Sequence, residues 1–287
     1  MKRGLRGKLP LLLSLIAACL LLSAGTALFL RQAWLSRQAL LSLFSGSASP
    51  LPGVESPQPT SPGALPGPHP ALVISTREMN EESKSPSYSI QVKWPVLEWG
   101  GDPRVNAFNK TAEEIVNEEI RGFKEGVAQL PDDTPSGEYS SSLNISFATT
   151  NTNNGILSVL LRISFYSAGA AHPGTYSRVI NYNLRDGKEL ALKDLFSPGS
   201  NFLDPISAAC LEDLKARGVL SWEDGALPKA DNYQVWNVTP AGLLITFDEY
   251  QVAPYAAGPQ AVTVSYEKLK EIIRPESPLG VFIYSDR

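Results

Sequence analysis

Tyr233-Gln-Val-Trp-Asn-Val238, Thr239-Pro-Ala-Gly242, Leu243-Leu-Ile-Thr-Phe247, Asp248-Glu-Tyr-Gln-Val-Ala-Pro-Tyr-Ala-Ala-Gly-Pro259, Gln260-Ala-Val-Thr-Val-Ser-Tyr266: this run decides how the chain folds. Pro240 presets φ and Gly242 tolerates a backbone that a side chain would resist, so 239–242 reads as a turn. It joins two β-rich runs, 233–238 and 243–247, into a predicted hairpin. Residues 261–266 alternate and predict a third strand. The connection between the second and third strands holds Pro254, Pro259, Gly258, Tyr250 and Tyr255. Tyrosine rings bury apolar area while their hydroxyls seek partners, so this loop is expected to fold against the sheet.

Upstream of this run the pattern is of the same kind. Residues 156–166 place Leu157, Val159, Leu161, Ile163 and Phe165 on one face. Ser158, Arg162 and Ser164 fall on the other, with Leu160 and Tyr166, which predicts one buried and one largely wet side, as in an antiparallel sheet. Strands are also predicted over 72–76, 88–94 and 143–149, with a turn at 151–155. A further hairpin pairs 177–184 with 189–192 across Arg185-Asp-Gly-Lys188. Between 166 and 177 lies a loop of small residues around His172.

Two helices are predicted from their start signals. Asp102-Pro103 supplies a capping side chain and a first-position proline. Val105, Phe108, Ala112, Ile115, Val116, Phe123 and Val127 then recur with helical period, and Glu113, Glu114, Glu118 and Glu119 read as a solvated face. Asp204-Pro205 opens a second helix by the same device, with Ile206, Ala209, Cys210 and Leu214 inward and Gly218 as the stop. A short helix over 267–274, capped by Ser265 and ended by Pro275, closes the chain. The predicted fold class is α+β: an antiparallel sheet with two main helices on one face plus a short C-terminal helix.

The first seventy residues are of a different kind. Residues 1–8 carry Lys2, Arg3, Arg6 and Lys8, and 9–30 is an uncharged, mostly apolar run. That length spans a hydrocarbon core of ~30 Å as a helix. Four positive charges precede it and two follow shortly after, which predicts a cytoplasmic N-terminus. The length favours an uncleaved signal anchor over the alternatives, which are cleavage after Gly25-Thr26-Ala27 or lipidation at Cys19 in Ile16-Ala-Ala-Cys19. Residues 45–70 are rich in Pro, Gly and Ser and read as an extended spacer, with His69 exposed in it. The expected organisation is a cytoplasmic tail (1–8), a transmembrane anchor (9–30), a juxtamembrane segment and Pro-rich linker (31–70), a small companion α/β domain (71–150) and a C-terminal α+β domain (151–287). The globular part would lie outside the cytoplasm on a single-pass anchor.

Charge and cysteine exclude several function classes. Six of the 25 basic residues and none of the 29 acidic ones precede residue 45, so the remainder is near −10. Phosphate neutralisation needs a basic face, so nucleic acid is not expected as a partner. Cys19 and Cys210 are too differently placed to pair, and no disulfide framework is expected. No phosphate loop, dinucleotide fingerprint or nucleophile elbow occurs. No metal or other cofactor and no catalytic residue is expected, because His172 is the lone histidine of the globular part and zinc needs several ligands.

Particular stretches carry a family resemblance. Phe165-Tyr-Ser-Ala-Gly-Ala-Ala-His172-Pro-Gly, Asn181-Tyr-Asn-Leu-Arg-Asp-Gly187, Asp194-Leu-Phe196, Thr239-Pro-Ala-Gly-Leu243 and Phe247-Asp-Glu-Tyr-Gln-Val-Ala-Pro-Tyr-Ala-Ala-Gly258-Pro resemble the bacterial domain of unknown function 3298. Tyr88-Ser-Ile-Gln-Val-Lys-Trp-Pro-Val-Leu97 is similar to its smaller preceding companion domain. The resemblance spans roughly 86–274, with Ala170 where the family often has a second glycine. Such modules occur in the extracellular part of a lysozyme-sensing anti-sigma factor and ahead of the catalytic domain of a secreted peptidoglycan deacetylase. A tail of about eight residues is too short for a sigma-factor site, and the chain stops soon after the module, so neither signalling nor deacetylation is expected. The resemblance implies a tethered, non-catalytic module that binds a cationic envelope protein such as lysozyme, or peptidoglycan. His172, Tyr250, Pro254, Tyr255 and Gly258 are its candidate binding residues. The alternative is a cell-wall hydrolase using His172 with Asp248 or Glu249.

Overall fold

The computed structural model describes residues 72–131 and 140–284. The expected tail (1–8), anchor (9–30) and linker (31–70), with Cys19 and His69, lie outside the described residues. No helix of the described residues is long and apolar enough to cross a membrane.

Strands β1 (Val73–Lys84) and β2 (Ser87–Glu98) form an antiparallel hairpin paired along its whole length. Ile90, Val92 and Trp94 alternate into the core, as the period-2 pattern requires. Helix α1 (Pro103–Val127) follows, with Asp102 as N-cap accepting from the Arg104 backbone N–H at 2.9 Å and Pro103 in the first turn. Asn109 clamps the helix to β2, accepting from Leu97 N–H at 2.7 Å and donating to Leu97 O at 2.9 Å. Because the chain returns through a helix, β3 (Ser141–Asn151) runs parallel to β2. Strands β4 (Ile156–Tyr166), β5 (Gly174–Asn183) and β6 (Lys188–Glu189) add antiparallel, giving a sheet ordered β1-β2-β3-β4-β5-β6. The sheet is therefore mixed, where the sequence predicted an antiparallel one. Residue 150, the expected division between companion and C-terminal domains, lies at the end of β3 within this sheet.

A second sheet of β7 (Trp236–Thr239), β8 (Gly242–Phe247) and β9 (Gln260–Val264) is antiparallel throughout. The 239–242 turn forms as predicted, and β7 starts late because Tyr233 belongs to a 3-10 turn (Ala230–Tyr233). Helix α2 (Leu203–Ala216) packs on β9. Ile206, Ala209, Cys210 and Leu214 are its buried face, as the periodicity predicts, and the Cys210 thiol is fully buried. Its start differs from the prediction: Phe202 holds the N-cap position without a side-chain bond, and Asp204 sits in the first turn accepting from Asn201 Nδ2 at 2.5 Å. The closing helix is also shorter. Helix α3 (Tyr266–Leu269) ends early because Ile273 is drawn into a β-bridge with Phe196, and α4 (Gly280–Tyr284) follows it.

The two main helices do not share one sheet face. Helix α1 covers the six-stranded sheet, with Phe108 edge-on to Tyr182 at 5.6 Å, whereas α2 belongs to the core around β7, β8 and β9. The second sheet itself crosses the other face of β4 and β5. There Ser158 Oγ donates to Asn181 Oδ1 at 2.5 Å and accepts from Asn237 Nδ2 at 2.9 Å and from Val238 N–H at 3.0 Å. Thr150 Oγ1 donates to Val238 O at 3.0 Å, and Asn181 Nδ2 to Trp236 O at 2.7 Å. Ser158 is fully buried, so the side of β4 predicted to be wet is covered at its Ser158 end, while Arg162, Ser164 and Tyr166 stay partly open. Ser158 is a means of docking, because a buried hydroxyl needs partners.

The acidic helix face is corrected at one residue. Glu119 points at β5, taking hydrogen bonds from Tyr176 Oη and, at 2.8 Å, from Arg178. Burial raises its carboxyl above the ordinary range, against the pull of Tyr176 and Arg178.

Candidate functional site

The β8–β9 connection is held as a rigid scaffold by its own backbone. Tyr250 N–H donates to Ala253 O at 2.9 Å and Gln251 N–H to Asp248 O at 3.1 Å, while Val252 and Ala253 are buried. The tight turn puts Tyr250 at φ 62°, a left-handed conformation that an aromatic residue rarely adopts. Pro254 sits at the N-cap of the 3-10 turn Tyr255–Ala257, and Gly258 leaves it at φ 66°. As the sequence predicted, this loop folds against the rest of the protein.

Three further segments converge on it. The 3-10 turn Glu223–Ala226 is anchored by Ser221 and Trp222 N–H groups donating to Val252 O at 2.8 Å and 3.1 Å. Gln251 Nε2 reaches back to Gly225 O at 3.0 Å and Asn232 O at 2.9 Å. Gly225 is needed for that approach, since a Cβ there would lie 1.8 Å from Gln251 O. The His172 loop arrives from β4 and β5, fixed by Ala168 N–H on Ser141 Oγ at 3.0 Å and Tyr166 Oη on Ala170 O at 3.2 Å.

The outcome is a row of four rings. His172 stacks on Tyr255 (centroids 4.8 Å, 16°), Tyr255 on Tyr250 (5.8 Å, 29°), and Tyr250 on Trp222 (6.3 Å, 12°). Trp222 is 43% exposed, and the other three are partly open to solvent. Each such pair contributes about 0.5–1.5 kcal/mol beyond its area burial, enough to hold the row in register against the strain at Tyr250.

Two buried carboxyls immediately precede Tyr250 in the chain. Asp248 is 8% exposed and accepts from the Ser177 backbone N–H of β5 at 3.1 Å. Burial raises it to about 6, against the Ser177 bonds and the attraction of Arg162. Glu249 is 6% exposed, and its Oε2 has no hydrogen-bond partner among the described residues. Burial, then the Asp248 charge, lifts Glu249 to about 8, with Arg162 opposing. The Tyr255 hydroxyl is likewise buried without a partner among the described residues, and burial followed by the Glu249 charge raises it.

The structure thus brings His172, Tyr250 and Tyr255 together. Pro254 and Gly258 shape the backbone that presents them, Pro254 being exposed. Sequence reasoning missed Trp222, Gln251, Gly225 and Arg162 as parts of this site. A tryptophan beside Glu-Asp-Gly, a polar turn-forming run, was the available signal for the first of them. His172 Nδ1 lies 3.2 Å from Pro173 O, and among the described residues no ion pair joins the imidazole to a carboxylate.

Residues 193–267 match the family model described as "Protein of unknown function (DUF3298)". That segment contains Trp222, the carboxyl pair and the tyrosine loop but not His172. Over 113 residues the chain is 26% identical to the peptidoglycan-N-acetylmuramic acid deacetylase PdaC of Bacillus subtilis (strain 168), covering 38% of this chain and 24% of that protein. The chain thus spans about a quarter of the length of the curated relative it matches. A crystal structure of a DUF3298 family member from Bacteroides fragilis NCTC 9343 superposes with a TM-score of 0.57 at 15% identity, covering 75% of this chain and 98% of that one. A DUF3298 family protein from Pseudomonas aeruginosa PAO1 gives 0.50 at 18% identity, covering 74% and 96%. At such identities the likeness is one of fold. Residues 193–267 thus match the DUF3298 family model, and the fold is similar to that of two solved DUF3298 family members.

Proposed function

We propose that this chain is a membrane-anchored, non-catalytic module outside the cytoplasm, and that it binds an envelope ligand, a lysozyme-like protein or a cell-wall glycan. The observation that carries the reading is the row His172–Tyr255–Tyr250–Trp222, four preordered rings with Trp222 exposed. Aromatic residues held rigid on a scaffold bind at little entropic cost, because their positions are fixed beforehand. The anchor is supported by the uncharged run 9–30 behind a basic tail. A wall ligand is supported by the likeness to PdaC, which is named for its action on peptidoglycan.

The hydrolytic alternative has less support. A general base must sit within hydrogen-bond reach of a positioned partner, and the His172 ring faces Tyr255 with its Nδ1 near Pro173 O. The test is retention of lysozyme or of purified cell-wall sacculi by the full chain in mild detergent. Retention that falls at least tenfold in Trp222→Ala and Tyr255→Ala supports the row as the contact surface. Absence of retention of both ligands at low salt overturns the reading, as does wall hydrolysis lost in His172→Ala.

A further inference from the structure

We infer that Glu249 is the built-in counter-charge for a cation that the ligand supplies, the ammonium or guanidinium of a basic protein's lysine or arginine, seated against the rings of Tyr250 and Tyr255. The inference rests on the binding role proposed for the row and names the chemistry of its occupant.

Three observations lead to it. Glu249 is buried to nine-tenths and more, yet among the described residues its Oε2 has no partner, and the neighbouring Tyr255 hydroxyl has none either. Two orphaned buried polar groups in a folded protein are costly, about 1–3 kcal/mol each, and such exceptions call for an explanation. Second, the local charges do not balance. Asp248 and Glu249 face one cation, Arg162 of β4, which makes no ion pair with either among the described residues. The phenol of Tyr255 feels the Glu249 charge, and its ring stacks with those of Tyr250 and His172. One positive charge is missing if both carboxyls are to ionise. Third, ring faces beside a carboxylate are what an ammonium or guanidinium prefers, since π-faces attract cations and a carboxylate completes the pair. The strained Tyr250 backbone adjoins Glu249 and holds both rings at this spot.

A protein is favoured over a neutral glycan as the source of the cation. From residue 45 onward the chain carries ten more acidic than basic groups, a field that steers basic proteins toward it. Without a ligand, burial keeps the Glu249 carboxyl protonated near neutrality. Binding must then expel that proton to solvent, leaving carboxylate against the incoming cation.

The test uses the full chain in mild detergent with hen lysozyme as probe, by titration calorimetry in two buffers of different ionisation heat. About one proton should be released per complex near pH 7, and affinity should rise ~50-fold between about pH 6 and 8, as the ionised fraction of Glu249 does. His172→Asn, which loses one ring of the row and binds more weakly, should show the same slope. Glu249→Gln, isosteric with the protonated acid, should bind at least tenfold more weakly and release no proton. Blocking lysines by acetylation or arginines by a dione should weaken the probe, one or the other. Normal binding by Glu249→Gln, with Trp222→Ala still defective, overturns the counter-charge while the row survives. Glu249-dependent capture of a neutral N-acetylated wall fragment also overturns it. Indifference to Trp222→Ala, Tyr255→Ala and Glu249→Gln alike removes the binding surface itself.

Discussion

Replacing Glu249 by glutamine should stabilise the protein in a pH-dependent way, and the size follows from where the carboxyl sits. Burial, with Asp248 adding to it, lifts Glu249 from 4.5 to about 8, while Arg162 opposes. In the unfolded chain the group ionises in its ordinary range. Between the two values the native state holds a proton that the unfolded state has released. Stability is therefore full below the unfolded value and lost as pH rises through about 8. At pH 7 the interval above 4.5 is two and a half units, or ~3 kcal/mol of destabilisation carried by the native protein. Glutamine keeps the shape of the protonated acid and cannot ionise. The variant should match the parent to within ~1 kcal/mol near pH 5 and exceed it by ~3 kcal/mol near pH 7. For a domain of this size that is a rise in Tm of ~6–12 °C. Asp248, raised to about 6, adds its own fall with rising pH in both proteins and cancels in the comparison. Thermal unfolding of the full chain in mild detergent, followed by tryptophan fluorescence from about pH 5 to 8, reads the difference. Parallel pH profiles for parent and variant would refute the burial argument for Glu249.

Other perturbations have equally definite outcomes. Ser158→Ala removes the hydroxyl shared by Asn181, Asn237 and Val238. It should cost ~2–4 kcal/mol in chemical denaturation, since several buried partners are orphaned at once. At Tyr250, φ 62° favours glycine, so Tyr250→Ala should be less stable than Tyr250→Gly by ~1 kcal/mol, although alanine keeps more side chain. Gly225→Ala would drive a Cβ into Gln251 O, so it should displace the Trp222 turn and shift its fluorescence. It should also destabilise by ~3 kcal/mol or more.

Much of this molecule was legible from its sequence, and the limits of legibility are physical. Local signals wrote β4 to the residue, the Asp102-Pro103 helix start, the 239–242 turn and the inward face of Ile206, Ala209, Cys210 and Leu214, because capping, turn chemistry and periodicity act within a few residues. His172, Tyr250 and Tyr255 were nameable as residues, through loop composition and a family likeness. What covers a strand's second face is not a local property. Ser158 looks like a solvent-facing serine until β7, some eighty residues on, crosses it. Glu119 looks like its acidic neighbours until Tyr176 and Arg178 meet it across the sheet. The ring row is of the same kind. Its members come from three separate segments, and only packing decides that Trp222 joins them and that Glu249 ends buried with an oxygen unanswered among the described residues. Sequence fixes what each stretch prefers over short range, whereas burial, and with it the charge state of a carboxyl, belongs to contacts between distant stretches.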